Sequence, residues 1–160
     1  MLSVQLGLGS LVGYGGVIAG YSVHDRLELG AGLGVAASGG PAVAINAHGR
    51  PILWYSQRHG ALQAITLDVG YSFSRYQTSN HGLRANPEGT TYHLDLAHWF
   101  QYAFGWEMLT AQGYDLRAAF GVALATNESD VYCTNANGKT GCTEKLSGLP
   151  TLSLSVCRVF

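Results

Sequence analysis

The stretch TLSLSVCRVF, residues 151–160, decides how the rest of the chain is read. Successive side chains of an extended strand point to opposite faces. Leu152, Leu154, Val156 and Phe160 therefore share one face, while Ser153, Ser155 and Cys157 share the other. A strand with one greasy face, one face of small polar groups and a final aromatic residue suits the last strand of a closed barrel whose outside touches lipid. It suits the frayed end of a water-soluble domain poorly.

The same alternation runs back through the chain. Eight extended segments can be laid out at about residues 3–11, 14–23, 27–37, 42–57, 62–76, 91–108, 114–125 and 150–160. In the third, Leu27, Leu29, Ala31, Leu33 and Val35 alternate with Glu28, Gly30, Gly32 and Gly34. In the fifth, Ile65, Leu67, Val69, Tyr71 and Phe73 alternate with Thr66, Asp68, Gly70, Ser72 and Ser74. The sixth sets Tyr92, Leu94, Leu96, Phe100, Tyr102, Phe104, Trp106 and Met108 against His93, Asp95, Ala97, Trp99 and Gln101. The seventh sets Leu116, Ala118, Phe120, Val122 and Leu124 against Asp115, Arg117, Ala119 and Gly121. Period-two patterning on this scale predicts strands, and helical spacing is nowhere sustained.

Composition agrees. Charged residues make up 12% of the 160 residues, about half the ~25% of an average soluble domain. A net charge of -1 offers no electrostatic footprint for nucleic acid. The uncharged run at residues 1–23 is too broken by Gly7, Gly9, Gly13, Gly15, Gly16 and Gly20 to read as a spanning helix. No Lys or Arg precedes its apolar part, so it does not read as a signal peptide, and Met1 reads as a start residue ahead of a mature sequence.

The face carrying Leu, Val, Phe, Tyr and Trp is too bulky for the interior of a small barrel, whereas Gly, Ser and Ala fit there. The large residues are therefore expected outside, against lipid. Tyr21, Tyr55, Tyr71, Phe73, Tyr76, Tyr92, Trp106, Tyr114 and Phe160 would form interfacial girdles. Short turns are expected at His24-Asp25-Arg26, Arg58-His59-Gly60 and Ala111-Gln112-Gly113, with longer polar loops near residues 77–90 and 126–149 at the other end. That asymmetry is the habit of outer-membrane barrels, whose short turns are periplasmic. Of the three cysteines, Cys133 and Cys142 flank Asn137-Gly138. A hairpin turning at that dipeptide would set them opposite each other and allow a disulfide. Cys157 is expected inside as a lone thiol.

On these residues the chain resembles the small eight-stranded outer-membrane proteins of Gram-negative bacteria, the OmpA/OmpX/OmpW-like barrels. Leu152, Leu154, Val156 and Phe160 are similar to that family's C-terminal assembly signal. The resemblance implies recognition by the outer-membrane insertion machinery and residence among outer-membrane lipids and lipopolysaccharide. Arg158, on the outward register, departs from the pattern, as does His98 within the outward row of the sixth segment. Arg158 can snorkel at the periplasmic rim, and a bulge or an interfacial position would accommodate His98.

The inward set contains Glu28, Arg50, Asp68, Asp95, Glu107, Asp115 and Arg117. An interior so narrow is expected to be plugged by ion pairs rather than open as a pore. A turn centred on His59 places Arg50 opposite Asp68, and a turn near Ala111–Gln112 places Arg117 close to Glu107. Some barrels of this size are lipid A deacylases or palmitoyl transferases. Ser79-Asn80-His81 and Ser129-Asp130 have the residue types of a hydrolase without its surrounding motif. His24, His48, His59, His93 and His98 are dispersed and read as ordinary polar residues, so neither metal nor cofactor is expected.

The expectation is thus all-β: a single-domain, eight-stranded antiparallel up-and-down transmembrane β-barrel over residues 1–160, monomeric, with both termini periplasmic. No enzymatic activity is expected. Its role would be structural or surface-interacting through the long loops, possible partners including another membrane protein. The second reading is a narrow channel or binding barrel for a small apolar ligand, and a rim-located lipid-modifying enzyme is the third.

Overall fold

A computed structural model describes residues 2–10, 13–36, 40–79, 91–127, 132–135, 138–141 and 148–158; for 2–10, 14, 76–79, 91–95, 132–135 and 138–141 it describes the backbone alone. The strands are β1 (Leu2–Ser10), β2 (Gly13–His24), β3 (Leu27–Val35), β4 (Pro41–Ser56), β5 (Ala61–Ser79), β6 (Thr91–Thr110), β7 (Tyr114–Ala125), β8 (Tyr132–Asn135), β9 (Gly138–Gly141) and β10 (Leu149–Arg158). The described residues contain no helix. The architecture is an all-β, antiparallel, up-and-down sheet. Neighbours from β1 to β7 pair in order, and β10 lies between β7 and β1.

The two faces divide as the alternation predicts. On β10, Leu152, Leu154 and Val156 are exposed while Thr151 and Cys157 are buried. On β7, Phe120 is 65% exposed and its flanking inner positions hold Ala119 and Gly121. Leu33, Ile45, Leu67 and Phe104 continue the exposed apolar face, and Ala42, Ala44, Ala97 and Ala103 the buried one. Small inner residues leave space for the few large polar ones. A Cβ on Gly20 would fall on the Glu28 carboxylate, so that carboxylate occupies room that glycine leaves.

The short turns lie where expected. Gly60 and Gly113 close two of them with φ of 57° and 79°, left-handed values that glycine adopts without a Cβ clash. Thr110 to Tyr114 is a three-residue connection in which Gly113 N–H donates to Thr110 O at 3.0 Å, a common hairpin geometry with glycine at the left-handed position.

Three expectations need correction. First, β4 carries a bulge: Gly49 pairs with Leu67 and Ile52 with Ile65, so Arg50 and Pro51 together stand opposite Thr66. Pro51 has no N–H for the ladder, and a bulge is where a strand tolerates it. Ser56 pairs with Ala61, so the turn is four residues and centres between Arg58 and His59 rather than on His59. That offset and the bulge each shift the register by one, and Asp68 faces His48, not Arg50. Second, β5 and β6 outrun the segments expected for them, and β6 pairs at its start with β8, Thr91 opposite Thr134. Third, the β8–β9 hairpin turns one residue earlier than Asn137-Gly138 implies, because Asn135 pairs with Gly138 and Cys133 with Thr140. Cys142 and the side chain of Cys133 lie outside the described residues, as does Phe160 of the expected assembly signal.

The two outward misfits both find partners, Arg158 at the end of β10 and His98 within β6. Arg158 stacks over the Tyr114 ring, 5.6 Å from its centroid. His98 sits beside Tyr71, whose hydroxyl lies 3.0 Å from its Nδ1, and meets Phe73 edge to face with ring centroids 5.0 Å apart. Thr126 and Asn127 then extend the pairing past β7: Thr126 N–H donates to His98 O, and the Asn127 side chain accepts from His98 N–H and donates to Leu96 O.

Candidate functional site: an interior ion cluster

Seven titratable side chains converge in the interior, delivered by five strands. Glu28 comes from β3, His48 and Arg50 from β4, Asp68 from β5, Glu107 from β6, and Asp115 and Arg117 from β7. Each lies on the small-residue face of its strand, which is why the fold gathers them.

Glu107 is the hub. Arg50 grips it with two bonds, Nε to Oε2 at 2.6 Å and Nη2 to Oε1 at 2.7 Å, the parallel fork that a planar guanidinium makes with a carboxylate. Arg117, directly opposite Glu107 in the β6–β7 ladder, approaches its Oε1 at 3.3 Å. His48 Nε2 lies 3.2 Å from Oε2. The other ring nitrogen of His48 lies 2.7 Å from Asp68 Oδ1, so the imidazole bridges two carboxylates and donates to both in its protonated form.

Glu28 closes the cluster from the far wall. It accepts from Arg50 Nη2 at 3.1 Å and from Arg117 Nη2 at 2.9 Å. The strands of Glu28 and Arg117, β3 and β7, are separated in the ladder by β2, β1 and β10, so this contact crosses the interior rather than running along the sheet. Arg117 also holds Asp115 through Nη2 at 2.7 Å. Glu28, Glu107 and Asp115 are buried. Ionised groups out of bulk water need partners of this quality, because desolvation costs several kcal/mol per ion.

Toward the long-loop end the interior is filled in layers. A small void of about 40 Å³ separates the cluster from the next contacts and is bounded by Asn46, Asp68, Gln101 and Arg117 among others. Beyond it Gln101 Nε2 donates to Thr151 Oγ1 at 3.1 Å. Buried Trp99 packs with Ala97, Ala123 and Ala125 and donates through Nε1 to Ser74 Oγ. Two stacked obstructions therefore occupy the path. Trp99→Ala alone should leave planar-bilayer conductance at baseline, since the Arg50–Glu107–Arg117 layer stays in place. A large single-variant opening would show that this layer does not seal.

Of the residues expected inside, Glu28, Arg50, Asp68, Glu107, Asp115 and Arg117 meet in one cluster. Arg50 pairs with Glu107 and Glu28 instead of Asp68. The side chain of Asp95 lies outside the described residues; its backbone falls in the irregular stretch of the β5–β6 ladder between the Ser74–Ala97 and Tyr76–Leu94 pairs. Sequence reasoning missed His48, 1% exposed and central to the cluster. The signal was available: Ala42, Ala44, Asn46, His48 and Arg50 form one inward row at period two. His24 and His59 are exposed at turns, and the side chain of His93, the Asn80-His81 and Ser129-Asp130 positions and the side chain of Ser79 lie outside the described residues. Among the described residues no three His, Cys, Asp or Glu side chains converge in a way that could hold a metal ion.

Comparison with protein-family models, with curated proteins and with solved structures finds no match.

Proposed function

We propose that this chain is an integral protein of a bacterial outer membrane. In this reading it is an eight-stranded barrel with its apolar face in lipid, its short turns on the periplasmic side and its interior sealed by side chains. It acts as a structural or surface-interaction protein through its long-loop end. The observation that carries the proposal is the exposed apolar face. Tyr21, Leu33, Ile45, Phe104, Phe120 and Leu154 are each more than half exposed. Water-soluble monomers rarely expose contiguous apolar patches beyond a few hundred Å².

Strand length supports the same reading. β1, β3, β7 and β10 have 9, 9, 12 and 10 residues, close to the ~9–11 that cross a hydrocarbon core. β5 and β6, with 19 and 20 residues, would project beyond it and, with β8 and β9 paired alongside, form the platform presented to partners. Backbone pairing on both sides of each spanning strand meets the demand that no N–H or C=O be left open in hydrocarbon. The similarity of Leu152, Leu154 and Val156 to a barrel assembly signal fits as well.

The purified protein should need detergent to stay in solution. Unheated samples should migrate differently from boiled ones on a denaturing gel, as a detergent-resistant barrel does. A stable, detergent-free monomer in buffer would overturn the membrane assignment.

A further inference from the structure

The ion cluster is a septum between two spaces. On the short-turn side lies a pocket of about 300 Å³ bounded by Arg50, Glu107 and Asp115 among others. On the other side lies the 40 Å³ void, bounded by Asp68 and Arg117. The bonds that close the septum depend on two protons.

The first is on His48. Its Nδ1 lies 2.7 Å from Asp68 Oδ1 and its Nε2 lies 3.2 Å from Glu107 Oε2. A neutral imidazole has one N–H and one lone pair, so one contact would set a lone pair against a carboxylate oxygen. Only the imidazolium donates to both. The residue is 1% exposed, which leaves water almost no surface at either contact. The second proton lies between Asp115 and Glu107. Arg117 holds Asp115 Oδ2, and Asp115 is hydrogen-bonded to Glu107 as well. Two carboxyl groups share a hydrogen bond only when one of them is protonated.

With both protons in place the charges cancel. Glu28, Asp68 and the single negative charge shared by Glu107 and Asp115 face Arg50, Arg117 and the imidazolium. Without them four carboxylates face two guanidiniums, and Glu107 and Asp115 repel at contact. An excess of charge out of bulk water draws water in, and the two spaces supply it. Cys157, opposite Asp115 in the β7–β10 ladder, would add charge of the same sign on ionising.

We propose that this septum is a proton-operated seal: holding its two protons it closes the interior, and on losing them it takes in water and passes inorganic cations. Opening breaks one N–H bond of His48 and the O–H bond shared by Asp115 and Glu107, and both protons pass to water. The Trp99 layer is a separate closure, so passage through the whole interior requires both to give way. The seal belongs to the interior, whereas its conductance rests on the membrane reading.

The test reads the two apart, with Cys157→Ser as the background throughout. In detergent, nitrogen-15 NMR of His48 and the infrared band of a protonated carboxyl, assigned by its loss in Asp115→Asn, follow the protons without any bilayer. Both should be present at about pH 6 and gone by about pH 9.5, either side of the free imidazole value. In planar bilayers Trp99→Ala should stay at baseline at the lower pH and gain at least about tenfold in cation conductance at the higher, since an opening that releases one proton becomes about tenfold more populated per pH unit.

Adding Asp68→Asn and Asp115→Asn to Trp99→Ala removes the need for either proton. Each amide donates where a proton stood, and Glu28 and Glu107 balance Arg50 and Arg117. That chain should stay at baseline at both pH values. Adding His48→Gln instead, which cannot bridge both carboxylates as the imidazolium does, should give conductance already at the lower pH. Protons retained at the higher pH would overturn the proposal. So would their loss with no conductance from Trp99→Ala whose insertion is shown by heat-modifiable migration, or pH-dependent opening of the chain with both Asn substitutions. Should that chain fail to fold, His48→Gln decides, and baseline conductance at the lower pH counts against the seal.

Discussion

Replacing Arg50 by Ala is expected to cost the folded protein about 3–5 kcal/mol, the usual penalty for stranding one member of a buried ion pair. Most of that penalty should vanish when Glu107 is replaced as well. Arg50 spends two of its bonds on Glu107, at 2.6 and 2.7 Å, and makes no ion pair with Asp68. In a double-mutant cycle the Arg50–Glu107 coupling should therefore be of order 2–3 kcal/mol, and larger than the Arg50–Asp68 coupling. Urea unfolding of the single and double Ala variants in lipid vesicles measures both. If Arg50 couples more strongly to Asp68, then the register of β4 against β5 differs in solution and the cluster is wired differently.

The second large effect lies on the opposite face. Phe120 stands near the middle of β7, 65% exposed, opposite Phe104 on one side and Leu152 on the other. In water Phe120→Arg would be a surface substitution, worth within about 0.5 kcal/mol. In a bilayer the guanidinium would sit in hydrocarbon on a lipid-facing barrel wall and cost about 2–4 kcal/mol. The measurement is again urea unfolding in vesicles, with the reversed control Ala119→Ser on the inner face expected to be far milder. A near-neutral Phe120→Arg would argue that this face meets water or another protein surface. That result would leave the ion cluster untouched and would remove the main support for an outer-membrane location.

Both predictions depend on which face each residue occupies, and faces are what a period-two pattern reports best. The placement of Leu152, Leu154 and Val156 against Thr151, Ser153 and Cys157 follows from alternation alone, as does the opposition of Arg117 and Glu107 across a regular three-residue turn. Gly60 and Gly113 marked two of the short turns because few other residues accept the left-handed backbone found there. The inward row ending in His48 and Arg50 was equally legible, though the dispersion of histidines along the chain drew attention away from it.

What could not be read locally depends on single-residue offsets and on closure in space. Two one-residue offsets, the β4–β5 turn centring ahead of His59 and the extra residue at Arg50–Pro51, together move Asp68 from Arg50 to His48; the bulge also turns Leu53 into the interior, and Arg50 reaches Glu107. Proline signals that a bulge is tolerated, but its count and direction are set by the pairing of β4 with both neighbours. The bond between Glu28 and Arg117 joins strands that are not neighbours in the ladder. No spacing along the chain encodes that contact, because it exists only once the sheet has curled far enough for opposite walls to meet. The sequence by itself determined the strands, their two faces and the residue types available inside. Tertiary structure decided which acid met which base, since that choice rests on register and curvature, and a shift of one residue rewrites both.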